Sequence, residues 1–211
     1  MAKVKEGARS DLSGKADGLV YVQSKWGVYT RKPPTLKKDS WTPGMLRNLE
    51  RFKQINAFCS QFKHSIIPQI WNGRSPRMSG YALFLKTNTA AFGPDGSISD
   101  ARKIKLSTGN LSFPEGFEAR RSETDDNRVE VSWPKELYVG GIHLKDELMV
   151  ISCEDGQYSE ITPTGIERND LGGSFALPAL PEPQTAGPMP IYLFFVSKNR
   201  RDYSESMCYE V

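Results

Sequence analysis

The sequence predicts an α+β protein: a basic N-terminal arm with one long and one short helix, then an immunoglobulin- or fibronectin-like antiparallel β-sandwich. Three observations carry that expectation. Between Met45 and Ile66 apolar side chains recur in steps of three and four, which is the period of a helix with one apolar face. From Gly93 onward the apolar runs are short, and 11 of the chain's 18 glycines and 9 of its 14 prolines interrupt them every few residues, as turns interrupt strands. The charge also divides along the chain. Residues 1–86 hold 16 Lys and Arg against 5 Asp and Glu, and residues 87–211 hold 12 against 20, so +11 faces −8 within a total of +3.

Residues 1–18 are polar, with Gly7, Gly14 and Gly18 spaced through them, and read as an extended lead-in. Leu19 to Val22 and Val28 to Thr30 read as two short strands about a Lys25-Trp26-Gly27 turn. Pro33-Pro34 ends that pairing, because proline offers no backbone donor. Thr42-Pro43 reads as a helix start, with Thr42 as cap and Pro43 in the first turn. The apolar stripe is Met45, Leu49, Phe52, Ile55, Phe58, Cys59, Phe62 and Ile66, and the helix is expected to stop by Pro68. A shorter helix is expected from Ser79 to Lys86. The helix stripe has to be covered by the sandwich or by a second subunit.

Gly93-Pro94-Asp95-Gly96 marks the change to strands. Ile104 to Phe113 alternates in part, and Arg128 to Trp133 alternates strictly, as a half-buried strand does. Glu147 to Cys153 and Gln157 to Pro163 flank Glu154-Asp155-Gly156, a hairpin signal. Ser174 to Leu177 is a further short strand, and Pro178 to Pro190 is a proline-rich connection. Ile191 to Val196 is apolar without a break and reads as a central strand. Lys198 to Asp202 reads as a turn before a last strand, Tyr203 to Val211. The expected division is 1–92, basic arm and helices, and 93–211, sandwich.

With ten Phe, eight Tyr and four Trp in 211 residues, the chain can build a substantial core. Its apolar runs are too short to cross a bilayer, and its polar start lacks the apolar segment of a signal peptide. A cytoplasmic protein, or a particle assembled in the cytoplasm, is the expectation. Cys59, Cys153 and Cys208 have no metal or redox spacing and read as reduced, mostly buried thiols. His64 and His143 stand far apart, so neither a metal site nor any other cofactor is expected.

Three stretches resemble an uncharacterised family of Bacteroides-type bacterial proteins, known only as a domain of unknown function. The first is Leu12-Ser13-Gly14-Lys15 with Lys25-Trp26-Gly27-Val28-Tyr29-Thr30-Arg31 and the prolines after it. The second is Arg51-Phe52 followed by Phe84-Leu85-Lys86-Thr87-Asn88. The third is Tyr192-Leu193-Phe194-Phe195-Val196-Ser197 with Ser204-Glu205-Ser206. Their order spans most of the chain, which departs from the family where Gly7 and Ser10 to Leu12 replace a more glycine-rich start. The resemblance implies neither catalytic residues nor a cofactor.

Candidate chemistry is sparse. His143 lies near Asp146 and Glu147, the pattern of an acid–base group or of a plain loop residue. No Gly-x-Ser-x-Gly elbow is present, and Gly14-Lys15 lacks the spacing of a phosphate loop. Asp95-Gly96-Ser97 and Asp125-Asp126-Asn127 read as solvated acidic turns, since neither has the twelve-residue calcium pattern. The one patterned cluster is basic and aromatic: Lys25, Trp26, Tyr29, Arg31, Lys37, Lys38 and Trp41. Cations among aromatics suit nucleic acid, an acidic partner surface, or simple solvation over packed rings.

The function expected is a non-enzymatic interaction or structural role, with a protein partner or self-association, in a setting such as a phage-like or mobile-element assembly. Nucleic-acid binding by the basic part is the alternative. A weaker alternative is a carbohydrate-binding or enzymatic sandwich using aromatic and acidic groups on its loops, which a deep pocket lined by Trp133 or Tyr138 with convergent carboxylates would favour.

Overall fold

A computed structural model describes residues 13–24, 27–35, 41–125, 127–135, 144–178 and 189–211. The chain forms two compact units, Met1–Met45 and Leu46–Val211.

The first unit holds a three-stranded antiparallel sheet, β1 (Gly14–Ala16), β2 (Leu19–Ser24) and β3 (Gly27–Arg31), in that order. Asp17 and Gly18 join β1 to β2 with φ of 52° and 72°, the mirror-image turn geometry that suits strand twist. That Asp-Gly turn recruits a third strand from the expected lead-in. Ser24 pairs with Gly27, so β2 and β3 are the two strands expected here, and their turn lies outside the described residues.

Helix α1 runs Pro43–Gln61. Thr42 caps it, its Oγ1 accepting from the Met45 amide at 3.2 Å. It stops at Gln61, well short of Pro68. Pro68 instead opens a π-helical turn, Ile67–Trp71, in first-turn positions where the missing N–H leaves no bond unmade. Helix α2 spans Gly80–Asn88, with the Ser79 hydroxyl accepting from the Ala82 amide at 3.2 Å.

The remaining strands are β4 (Glu118–Arg121), β5 (Arg128–Ser132), β6 (Glu147–Glu154), β7 (Gln157–Tyr158), β8 (Thr162–Glu167), β9 (Gly172–Ala176), β10 (Pro190–Val196) and β11 (Met207–Glu210). A five-stranded antiparallel sheet has the order β11-β10-β6-β7, with β8 also on β6, and a three-stranded one has the order β4-β5-β9. The fold is α+β, and neither sheet closes.

Alternation along β6 and β10 divides the core. Met149, Ile151, Cys153, Tyr192, Phe194 and Val196 join Phe58, Phe62, Trp71 and Phe84 on the helical side. Leu148, Val150, Ile191, Leu193 and Phe195 join Val129, Val131, Trp133 and Phe175 on the other. The central sheet is therefore covered on both faces, which is why 191–196 is apolar without alternation. Residues on both sides of position 92 share the helical-side cluster.

The stretch Ile104 to Phe113 forms no regular strand, contrary to its alternation. It follows a 3-10 turn, Ala101–Lys103, and is pinned by Ser204 and Ser206. Ser107 Oγ donates to the Ser204 carbonyl at 2.7 Å, and the Leu106 amide donates to Ser206 Oγ at 2.9 Å. Gly109 lies so close to the Tyr203 backbone that a Cβ would collide with the Tyr203 carbonyl. Strand β4, Glu-Ala-Arg-Arg, carries no large apolar residue to announce it, and its charged side chains suit a sheet edge.

Arg168 is 5% exposed beside Asp146 at 2%, their Nε and Oδ2 3.8 Å apart. Its guanidinium stacks on Phe195, 4.4 Å from the ring centre, and donates to the Ser112 carbonyl.

Candidate functional site

Of the seven residues singled out in the basic cluster, three are described. Tyr29 and Arg31 stand two apart on β3, opposite Val22 and Val20, and so point to one side of that sheet. Arg31 is exposed and Tyr29 half-buried. Trp41 is 41% exposed, just before α1. Lys25, Trp26, Lys37 and Lys38 lie outside the described residues, as do Tyr138 and His143.

A different surface emerges on α1. Leu46, Leu49 and Phe52 are 53%, 38% and 52% exposed, and they recur at three-residue steps. Farther along the same helix Ile55, Phe58 and Cys59 are at 2%, 6% and 0%. At 100° per residue the exposed trio is centred about a third of a turn from the buried one. The separation along the axis matters as much. Phe52 precedes Cys59 by seven residues, about 10 Å of rise, and the helical-side core takes no α1 residue before Ile55. The single stripe read from the sequence is thus two faces, one packed on the sheet and one directed outward. Met45, at 49% exposure, precedes the trio.

Polar contacts hold this half of the helix. Arg51 donates to the Thr89 and Phe92 carbonyls at 3.2 and 3.0 Å, tying it to the end of α2 and the turn beyond. Glu50 accepts from Lys53 Nζ at 3.0 Å and from Gln54 at 3.3 Å. The Lys53 hydrogen bond and charge hold the Glu50 carboxyl below its ordinary value. At the packed end, burial pushes the Cys59 thiol up to about 12, so it is neutral.

The other sequence candidates fall into structural places. Trp133 is 4% exposed, stacked 5.1 Å from Phe117, with its indole N–H on the Arg168 carbonyl at 3.2 Å; it belongs to the core. Asp95 closes the 93–97 turn by accepting from the Ser97 hydroxyl at 2.9 Å and the Ser97 amide at 3.2 Å. Those bonds hold its carboxyl below the ordinary range. Asp125 accepts from the Asn127 amide at 2.9 Å. The cysteines are unpaired, Cys59 and Cys153 buried and Cys208 partly so. Among the described residues no group of three or more His, Cys, Asp and Glu converges as a metal site, and no helix is long and apolar enough to cross a membrane.

The outward face of α1 was legible only in part. Leu49 and Phe52 belong to the expected stripe, whereas Leu46 does not, and the period alone does not say where the covering sheet ends. Compared with protein-family models, curated proteins and solved structures, the chain matches none.

Proposed function

We propose that this is a non-enzymatic interaction protein that assembles with copies of itself, using the outward face of α1 as its docking surface. The observation that carries the reading is the exposed Leu46, Leu49 and Phe52 row, held on a helix whose far end is anchored in the core. Charge selects the partner surface. Within Leu46–Val211, residues 46–86 hold 7 Lys and Arg against 1 Asp and Glu, and residues 87–211 hold 12 against 20. The helical segment is therefore basic and the rest acidic. A copy that offers its basic, apolar helix to the acidic strand-bearing part of the next makes a head-to-tail contact, which builds rings or filaments. Opposite charge sets register and encounter rate, while the apolar row supplies the buried centre.

A cytoplasmic location, an immunoglobulin- or fibronectin-like sandwich arrangement of the sheets and membership of the Bacteroides-type family belong to the same proposal. So does a role in a phage-like or mobile-element assembly. Light scattering over a concentration series, at low and high salt, tests it. Mass that grows with concentration at low salt and falls at high salt supports the reading, and a monomer under every condition overturns it.

A second reading, nucleic-acid binding, is favoured by the +11 of residues 1–86 and by Arg31 exposed beside Tyr29 on β3. It requires salt-sensitive binding that disappears when Lys25, Arg31, Lys37 and Lys38 are made neutral.

A further inference from the structure

Strand β4 forms one edge of the β4-β5-β9 sheet, and its register shows which backbone groups that edge leaves open. The Ser122 amide donates to the Arg128 carbonyl at 2.9 Å, so 122 and 128 are a bonded pair. Bonded and non-bonded pairs alternate along an antiparallel ladder. Arg120 is then bonded to Glu130 and Glu118 to Ser132, while Ala119 and Arg121 turn their N–H and C=O groups away from β5. Among the described residues, neither has a backbone bond on that open side. The open stretch begins after Phe117, whose carbonyl accepts from the Tyr209 hydroxyl of β11 at 3.4 Å. An edge of this kind is a template for a further strand.

Charge says which strand fits. Glu118 and Arg120 share the solvent face of β4. Glu118 is exposed and, among the described residues, makes no hydrogen bond or ion pair. Arg120 is 76% exposed and meets Glu130 through one nitrogen at 3.3 Å, which leaves most of its five donors free. Two copies of β4, related by a two-fold axis, can pair only in registers that bring the open groups of 119 and 121 together. An axis through Arg120 sets Arg120 across from its own copy, and an axis through Arg121 does the same for Arg121. Both place like charges opposite each other, which is destabilising. An axis through Ala119 sets Glu118 across from Arg120 of the second copy, twice, in the non-bonded positions where side chains come closest. The two Ala119 residues then exchange a pair of N–H···O bonds, and their small side chains leave room for the approach.

We propose that the β4 edge pairs with β4 of a second copy in this register, joining two three-stranded sheets into one of six strands. The charges select the register and exclude the others. The contact is short, so its dissociation constant is expected at roughly 1 mM, and it is sparsely filled in dilute protein. Among chains already joined through α1 it becomes intramolecular and ties neighbours together. It uses no α1 residue, so either contact stands without the other.

The test uses the full chain carrying Leu49→Ser and Phe52→Ser, which removes the α1 row, at concentrations up to about 1 mM. The amide resonances of Ala119 and Arg121 are expected to shift with concentration, and translational diffusion to slow. Glu118→Arg, with arginine at both positions, and Arg120→Glu, with glutamate at both, are each expected to pair roughly tenfold more weakly, the scale of two cross-strand ion pairs. Mixed in equal amounts, the two variants become complementary and are expected to pair at least as well as the parent. Concentration-independent Ala119 and Arg121 resonances, undiminished pairing of either variant alone, or a mixture that does not recover pairing overturns the proposal.

Discussion

Phe52 and Phe58 stand six residues apart on one helix, yet Phe52 is 52% exposed and Phe58 6%. The difference is in what lies opposite. Phe58 meets Phe62, Phe84, Phe92 and Tyr158, with ring centres 5.2 to 6.2 Å away, in a cluster continuous with the inward side chains of β6 and β10. Phe52 has no place in that cluster, and its half of the helix is tethered instead through Arg51 to two carbonyls. An apolar residue is no measure of core by itself. The same amphipathic helix supplies stability at one end and exposed apolar surface at the other.

Truncation separates the two ends most strongly. Phe58→Ala is expected to cost about 3–5 kcal/mol of unfolding free energy, from lost burial and the cavity left behind. Phe52→Ala is expected to stay within about 0.5 kcal/mol, as exposed substitutions do. Urea denaturation of both variants measures this, and equal losses would erase the contrast.

Of the two ends of α1, alkaline pH probes the packed one. The Cys59 thiol is raised from 9.0 to about 12 in the folded protein, so the unfolded chain gives up its proton first. The stabilisation is complete below pH 9.0 and is lost as pH rises toward about 12. The slope is at most about 1.4 kcal/mol per pH unit. The fall above pH 9.0 should be shallower in Cys59→Ala than in the native chain.

Arg51→Leu removes both donors to the Thr89 and Phe92 carbonyls, at an expected cost of about 1–2 kcal/mol. Hydrogen exchange should quicken at Leu49 to Lys53 and stay slow at Phe58 to Gln61. Thr42→Ala, which removes the cap on the Met45 amide, is expected to cost about 1 kcal/mol and to fray the first turn only.

Much of this fold was legible where local chemistry decides it. Thr42-Pro43 and Ser79 open α1 and α2, Arg128 to Ser132 alternates, and Asp155-Gly156 turns β6 into β7. The unbroken run in β10 announced burial on both faces. What was not legible depends on partners distant in sequence. Ile104 to Phe113 has strand-like alternation, but Ser204 and Ser206 hold it irregular. Strand β4 is chosen by its pairing with β5, since its own residues are mostly charged. Arg168, which fills a gap among Asp146, Ser112 and Phe195, looks in the sequence like any surface arginine. The α1 site was hidden for the same reason: the stripe shows that a helix has an apolar side, and only the extent of the sheet shows how much of it is covered.

Sedimentation of the Leu49→Ser, Phe52→Ser double variant beside the native chain, at low salt, tests the central claim most directly. The account predicts an unchanged unfolding midpoint together with loss of the self-associated species. A variant that assembles as the native chain does would contradict it and return the outward face of α1 to plain surface.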